Sequence, residues 1–165
     1  LAIDGKRTLE EIATRLKVDV SLVTQSTTTL MKRGYLEFVV VEDTRKTVLI
    51  VDDSLTIQKM VEMALEQEDL NLLTASDGES AVRALDESDP DLILLDVMLP
   101  DTNGYRLCKE IRSREGRLAT IPIIMLSARD SPQDENLGRH AGASAYMTKP
   151  FMPEALRKTV REALA

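Results

Sequence analysis

The sequence predicts an α/β protein built on a doubly wound parallel sheet, and three features of the chain lead there. From residue 48 onward short apolar runs recur at regular intervals, the runs are continuous and not alternating, and a segment of helical period separates each from the next. Continuous apolar runs imply strands covered on both faces, the condition of a parallel sheet between helical layers. Right-handed crossovers then wind the chain to both sides, and such sheets bind ligands beyond the strand C-termini, where the strand order reverses.

The elements follow in order. VLIV (48–51) is the first strand, and Ser54 can cap a helix whose apolar positions Ile57, Val61, Ala64 and Leu65 recur at helical spacing. LNLLTA (70–75) is the second strand, and Asp77-Gly78 marks the turn into a helix carrying Ala81, Val82 and Leu85. Pro90 and Asp91 introduce LILL (92–95), after which Pro100 and Gly104 bracket a loop leading to a helix with Leu107, Cys108 and Ile111. IPIIML (121–126) is the fourth strand, followed by a helix over about 132–141 that Gly142 stops. AYMT (145–148) is the fifth, and Pro150 and Pro153 precede a last helix with Leu156, Val160 and Leu164.

Composition narrows the class. The 165 residues are enough for one domain of ordinary size plus a fragment, and 43% hydrophobic with 30% charged residues is a globular balance. With no Trp and five aromatics the core must be aliphatic, and a single cysteine, Cys108, excludes an intramolecular disulfide framework and suits a reducing interior. No run reaches the roughly 20 apolar residues of a membrane helix and no signal-peptide pattern opens the chain, so the expected location is the cytoplasm. Residues 1–46 hold eight Lys/Arg against seven Asp/Glu, whereas residues 47–165 hold thirteen against twenty-one, so the larger part would repel nucleic acid. The expected division is 1–42, a polar linker at 43–46, and 47–165.

Four of the five runs end in polar residues that differ in kind: Asp52 and Asp53 after the first, Asp96 after the third, Ser127 after the fourth and Lys149 after the fifth. Singly, each has an ordinary reading. An acidic pair is commonly a solvated turn, a serine a helix cap and a lysine a solvated strand end, although Asp96 closes the most apolar run, where an unpaired carboxylate is costly. Jointly they emerge along one edge of one sheet. Crowded carboxylates offer hard oxygen ligands to Mg²⁺ and repel one another, so at least one should have a raised pKa without metal. A carboxylate can attack a phosphoryl group, and a cation and a hydroxyl donor can hold the charge that develops on its oxygens. Asp96 is the expected nucleophile.

VLIVDD, LILLDVMLPDTNG, IIMLSA and AYMTKPF together resemble the receiver domain of two-component response regulators, over residues 47–165. The resemblance implies a flavodoxin-like (βα)5 sheet in the order 2-1-3-4-5. It implies phosphorylation of Asp96 by a phosphohistidine on a sensor histidine kinase or phosphotransfer protein. It also implies Mg²⁺ held by Asp53, Asp96 and the backbone carbonyl of Met98, with Asp52 assisting through water. Lys149 would pair with the phosphoryl group, Ser127 would swing towards it, and Tyr146 stands where the family carries its rotating aromatic. Ser127 replaces the more usual Thr, Ala128 leaves room beside it, and Met98 and Arg129 stand where the family tunes acyl-phosphate lifetime. Such a domain is a self-catalysing phospho-acceptor and not an enzyme with turnover, and phosphorylation would switch a surface that pairs with a partner or with a second copy. Aspartate-based phosphohydrolases share the toolkit but place the nucleophile after the first strand in a DxD motif, whereas Val97-Met98 follows Asp96 here. A receiver-like module that is never phosphorylated is the other alternative, and a complete set of side chains speaks against it.

In residues 1–42, Thr8 can cap a helix with Leu9, Ile12, Ala13 and Leu16, and a turn near Val18-Asp19 leads to a second helix over about 21–32 with Val23, Leu30 and Met31 inward. Gly34 then stops it and residues 35–41 read as a strand. This resembles the later part of a winged-helix domain. Winged helices often read DNA with the second of these helices, yet residues 21–31 contain no Lys or Arg, so a protein contact is the expected role.

Overall fold

A computed structural model describes residues 8–35 and 44–165. The chain divides between Thr44 and Arg45 into two compact units. The smaller contains α1 (Leu9–Leu16) and α2 (Val20–Lys32). Thr8 and Glu11 cap α1 reciprocally, the Glu11 amide donating to Thr8 Oγ1 at 3.2 Å and the Thr8 amide to Glu11 Oε2 at 2.8 Å. Ile12, Ala13 and Val23 form its small core with Leu9. Leu30, expected inward, is exposed, and Thr27 occupies the buried position instead. Leu30 lies on the same helical face as Val23 and Thr27, but at the C-terminal end of α2, beyond the core that Ile12, Ala13 and Val23 form. Tyr35 lies in a bend, and the remainder of the expected strand falls outside the described residues.

The larger unit alternates strand and helix: β1 (Lys46–Val51), α3 (Leu55–Leu65), β2 (Leu70–Ala75), α4 (Gly78–Ser88), β3 (Leu92–Asp96), α5 (Gly104–Arg112), β4 (Ile123–Ser127), α6 (Pro132–Ala141), β5 (Ala145–Thr148) and α7 (Pro153–Leu164). All pairings are parallel, in the order β2-β1-β3-β4-β5. The chain order reverses beside β1, so the chain leaves β1 and β3 towards opposite faces of the sheet and opens a crevice at their C-terminal ends. Several strand boundaries differ from the sequence reading, with β3 and β4 each running one residue further, to Asp96 and Ser127. β1 begins at Lys46, which pairs with Leu70, and β4 starts at Ile123 because Pro122 has no amide to donate to the ladder. A 3₁₀ turn at Gly116–Ala119 precedes β4.

Side-chain alternation explains the unbroken apolar runs. Val48, Ile50, Leu92, Leu94, Ile124 and Leu126 pack with Val61, Leu65, Leu156 and Val160 of α3 and α7. Leu49, Val51, Ile93, Leu95, Ile123 and Met125 pack with Ala81, Leu85, Leu107, Cys108 and Ile111 of α4 and α5. Successive residues of the central strands thus face one helical layer and then the other. No helix of the described residues is long and apolar enough to cross a membrane.

Candidate functional site

β1, β3, β4 and β5 end together, and their last residues carry the polar groups. Asp96 is the last residue of β3 and registers with Leu126, which places Ser127 one step further along β4, opposite Thr148 on β5. Asp52 is wholly buried, Asp96 is 7% exposed and Ser127 is wholly buried, while Asp53 faces solvent. One carboxylate oxygen from each of Asp52, Asp53 and Asp96 falls within a 4.8 Å cluster, the metal-competent acidic group among the described residues. Lys149 closes the site, its Nζ lying 2.5 Å from Asp52 Oδ2 and 2.9 Å from Asp96 Oδ2. The structure therefore gathers Asp52, Asp53, Asp96 and Lys149, and sets Ser127 at the same edge, at the end of the neighbouring strand.

Each is held by backbone. The Ser54 amide donates to Asp52 Oδ1 at 2.9 Å, and the Met98 amide lies 3.3 Å from Asp96 Oδ1. Gly104 is demanded by close approach: a Cβ there would stand 2.1 Å from the Asp96 carbonyl oxygen, and its amide donates to the Val97 carbonyl at 2.8 Å. The Lys149 amide donates to the Ser127 carbonyl at 2.6 Å, tying the lysine to the end of β4, and the Lys149–Pro150 peptide is cis. Met98 is 56% exposed at the rim, and Arg129 leans on it, Nη2 to Sδ at 3.8 Å.

Three carboxylates face one ammonium, an excess of negative charge that suits a divalent cation. Burial pushes the Asp52 carboxyl above its ordinary value, against the hydrogen bonds from Lys149 and Ser54, and Asp96 adds a smaller push in the same direction. A raised carboxylate was expected from mutual repulsion, but desolvation is the larger cause. Hard carboxylate oxygens, one of them on the solvent side, are the donor set that Mg²⁺ takes while keeping waters. The residues present fit that ion.

Three supporting residues had escaped the sequence reading. Gln58 is buried, and its amide donates to the Asp52 carbonyl at 2.7 Å and the Ala75 carbonyl at 3.3 Å, tying the ends of β1 and β2 to α3. Its signal was a polar residue on the stripe that continues through Val61 and Leu65. Asp101 accepts from the Gly78 and Glu79 amides at 2.8 and 3.1 Å, anchoring the loop after Asp96 on the N-terminus of α4. Tyr105 meets Tyr146, hydroxyl to hydroxyl, at 3.3 Å. Nothing local in the sequence announces the last two contacts, which join segments 22 or more residues apart. His140 is exposed with Nδ1 2.7 Å from the Asn136 carbonyl, and Cys108 is buried in the core on the apolar stripe of α5.

Comparison with known proteins points the same way. Residues 48–161 match the response regulator receiver domain. The alkaline phosphatase synthesis transcriptional regulatory protein PhoP of Bacillus subtilis is 41% identical over 119 residues, which cover 72% of this chain and 48% of PhoP. This chain thus spans about half the length of the curated relatives it matches. Among solved structures, the chemotaxis response regulator CheY4 of Vibrio cholerae aligns with a TM-score of 0.69 and 35% identity, covering 73% of this chain and all (100%) of CheY4. The BeF3-activated N-terminal receiver domain of Klebsiella pneumoniae RstA aligns at 0.65 with 29% identity, over 72% of this chain and 98% of that one.

Proposed function

The chain belongs to the response regulator receiver family, and from that premise we propose that its larger part, residues 47–165, takes a phosphoryl group onto Asp96 from a phosphohistidine of a sensor histidine kinase or phosphotransfer protein. The observation that carries the assignment is the position of Asp96: nearly buried at the end of β3, paired with Lys149, and beside two further carboxylates at the sheet's switch point. One Asp96 carboxylate oxygen attacks phosphorus as the phosphorus–nitrogen bond to the imidazole breaks, leaving an aspartyl-phosphate. Lys149, held between Asp52 and Asp96, keeps its ammonium where the transferred oxygens come to lie, and Ser127 offers a hydroxyl to one of them. Asp53, Asp96 and the Met98 carbonyl would hold Mg²⁺ with Asp52 assisting through water, and the ion when bound supplies neutralising charge for the carboxylates and the phosphoryl oxygens.

Phosphoryl contacts to Ser127 and Lys149 can shift the protein only by as much as they differ between two arrangements. The reading extends to the surface of α6, β5 and α7, which moves with Ser127 and Tyr146 and pairs with a partner or a second copy once Asp96 is phosphorylated. Sedimentation with and without beryllofluoride decides between a dimer and a constant mass. The segment 1–42 is read as a winged-helix-like protein contact joined by 43–46, in the cytoplasm where the kinase's catalytic part works. α2 favours a protein partner over DNA, because Thr24, Thr28 and Thr29 turn their hydroxyls onto carbonyls of their own helix at 2.9, 2.7 and 2.9 Å. A salt-dependent mobility shift with duplex DNA would reverse that preference.

The test of the phospho-acceptor is intact mass after incubation with acetyl phosphate and Mg²⁺. One phosphoryl group is gained by the chain and none by Asp96→Asn; equal gain in both contradicts the assignment.

A further inference from the structure

An unbroken line of hydrogen bonds runs from α5 to the Ser127 hydroxyl. Tyr105 Oη lies 3.3 Å from Tyr146 Oη, Tyr146 Oη donates to the Arg129 carbonyl at 3.0 Å, and the Arg129 amide donates to Ser127 Oγ at 3.0 Å. Tyr105 Oη also stands 3.2 Å from the Asp134 carbonyl at the start of α6. A phenol has one proton to give. Tyr146 gives its proton to Arg129, so the Tyr105 proton serves the Tyr146 oxygen and the Asp134 carbonyl between them. Burial, and then the neighbouring Tyr146, hold the Tyr105 phenol far above its ordinary pKa, so it remains a donor throughout the neutral range.

The consequence falls on Ser127. Both backbone polar groups of Arg129 are committed, the carbonyl to Tyr146 and the amide to Ser127 Oγ. With its oxygen accepting from that amide, the buried Ser127 hydroxyl keeps its own proton to donate elsewhere. The Tyr146 ring lies close against α6 at Gly138, where a Cβ would stand 2.9 Å from its Cδ2. A phenylalanine at 105 would fill the same volume and leave Tyr146 without its hydroxyl neighbour.

We propose that Tyr105 is a positioning residue for phosphoryl binding: through Tyr146 and the backbone of Arg129, its hydroxyl holds the Ser127 hydroxyl in the orientation that donates to a phosphoryl oxygen on Asp96. The assignment rests on the phospho-acceptor reading above and adds a residue on α5 to it.

Beryllofluoride titrated into the full chain with Mg²⁺, followed by the Ser127 amide resonance, tests it. Tyr105→Phe weakens beryllofluoride binding about fivefold, the worth of one net hydrogen bond, and the same substitution in a Tyr146→Phe background causes no further loss, because the line is already cut. A purely structural tyrosine would lower the melting temperature and leave the affinity alone. Unchanged affinity in Tyr105→Phe overturns the assignment, as does an equal loss in the Tyr146→Phe background. An unsubstituted chain that takes no beryllofluoride, or takes it equally well as Asp96→Asn, removes the phospho-acceptor reading itself and Tyr105 with it, a failure visible before any tyrosine is changed.

Discussion

Replacing Lys149 by methionine keeps the length of the side chain and removes its charge, and the structure fixes what that costs. Nζ stands 2.5 Å from Asp52 Oδ2 and 2.9 Å from Asp96 Oδ2, with Asp52 fully buried. At an effective dielectric constant of about 20, a unit-charge pair roughly 3 Å apart attracts by about 5 kcal/mol, from which desolvation of the ammonium takes part back. Breaking a buried pair by removing one partner leaves a net loss of about 3–5 kcal/mol. Urea unfolding without metal at neutral pH should show that loss as a lower midpoint with an unchanged slope. Asp52→Asn alone should be near neutral or stabilising, since burial already disfavours the Asp52 carboxylate, and adding it to Lys149→Met should restore most of the lost stability. Strict additivity of the two substitutions, or a loss under about 1 kcal/mol for Lys149→Met, would refute the claim that the lysine neutralises a buried carboxylate.

Two further outcomes follow from the geometry. Gly104→Ala drives a methyl group to within 2.1 Å of the Asp96 carbonyl oxygen, where only backbone can give way; it should cost about 3 kcal/mol or more and abolish phosphorylation by acetyl phosphate, and a normal melting temperature would contradict it. Asp91 accepts from the Thr47 amide at 2.7 Å and pairs with Lys46 and Arg117 at 2.9 and 2.7 Å. Burial raises its carboxyl but these donors outweigh burial, and the net shift is below the ordinary value of 3.8. A depressed folded pKa contributes stability that is complete above the unfolded value and is lost as pH falls through the folded one. Asp91→Asn should therefore destabilise by about 1–3 kcal/mol at pH 7 and flatten the acid limb of the stability curve below pH about 4, and parallel curves for the two proteins would contradict the linkage.

The fold was legible because its strongest signal is physical. Strands buried on both faces must be apolar at every position, and VLIV, LILL and IIML are, so the polar residues at their ends stood out against the runs. Strand ends were less legible: Pro122 reads as apolar yet cannot donate to a ladder, and Lys46 pairs despite its charge because the sheet edge there reaches solvent. Asp52, Asp53, Asp96, Ser127 and Lys149 were found because each is the residue that breaks a run. Gln58, Asp101 and Tyr105 act through backbone carbonyls, backbone amides and a second phenol, partners whose nearness is a property of packing and leaves no mark on sequence spacing. In residues 8–35 the cap at Thr8 marked where α1 starts, but two short helices with a three-residue core carry too few apolar positions to say how far along α2 the covered stripe extends, and Leu30 was misplaced for that reason.

Borohydride reduction after acetyl phosphate treatment tests the central claim most directly, because an acyl phosphate is reduced at the carbon that carried it and the residue becomes homoserine. Peptide mass analysis should find homoserine at position 96 alone, and only when Mg²⁺ was present. Homoserine at position 52 or 53, or none at any aspartate of a chain that had gained a phosphoryl group, would contradict the account.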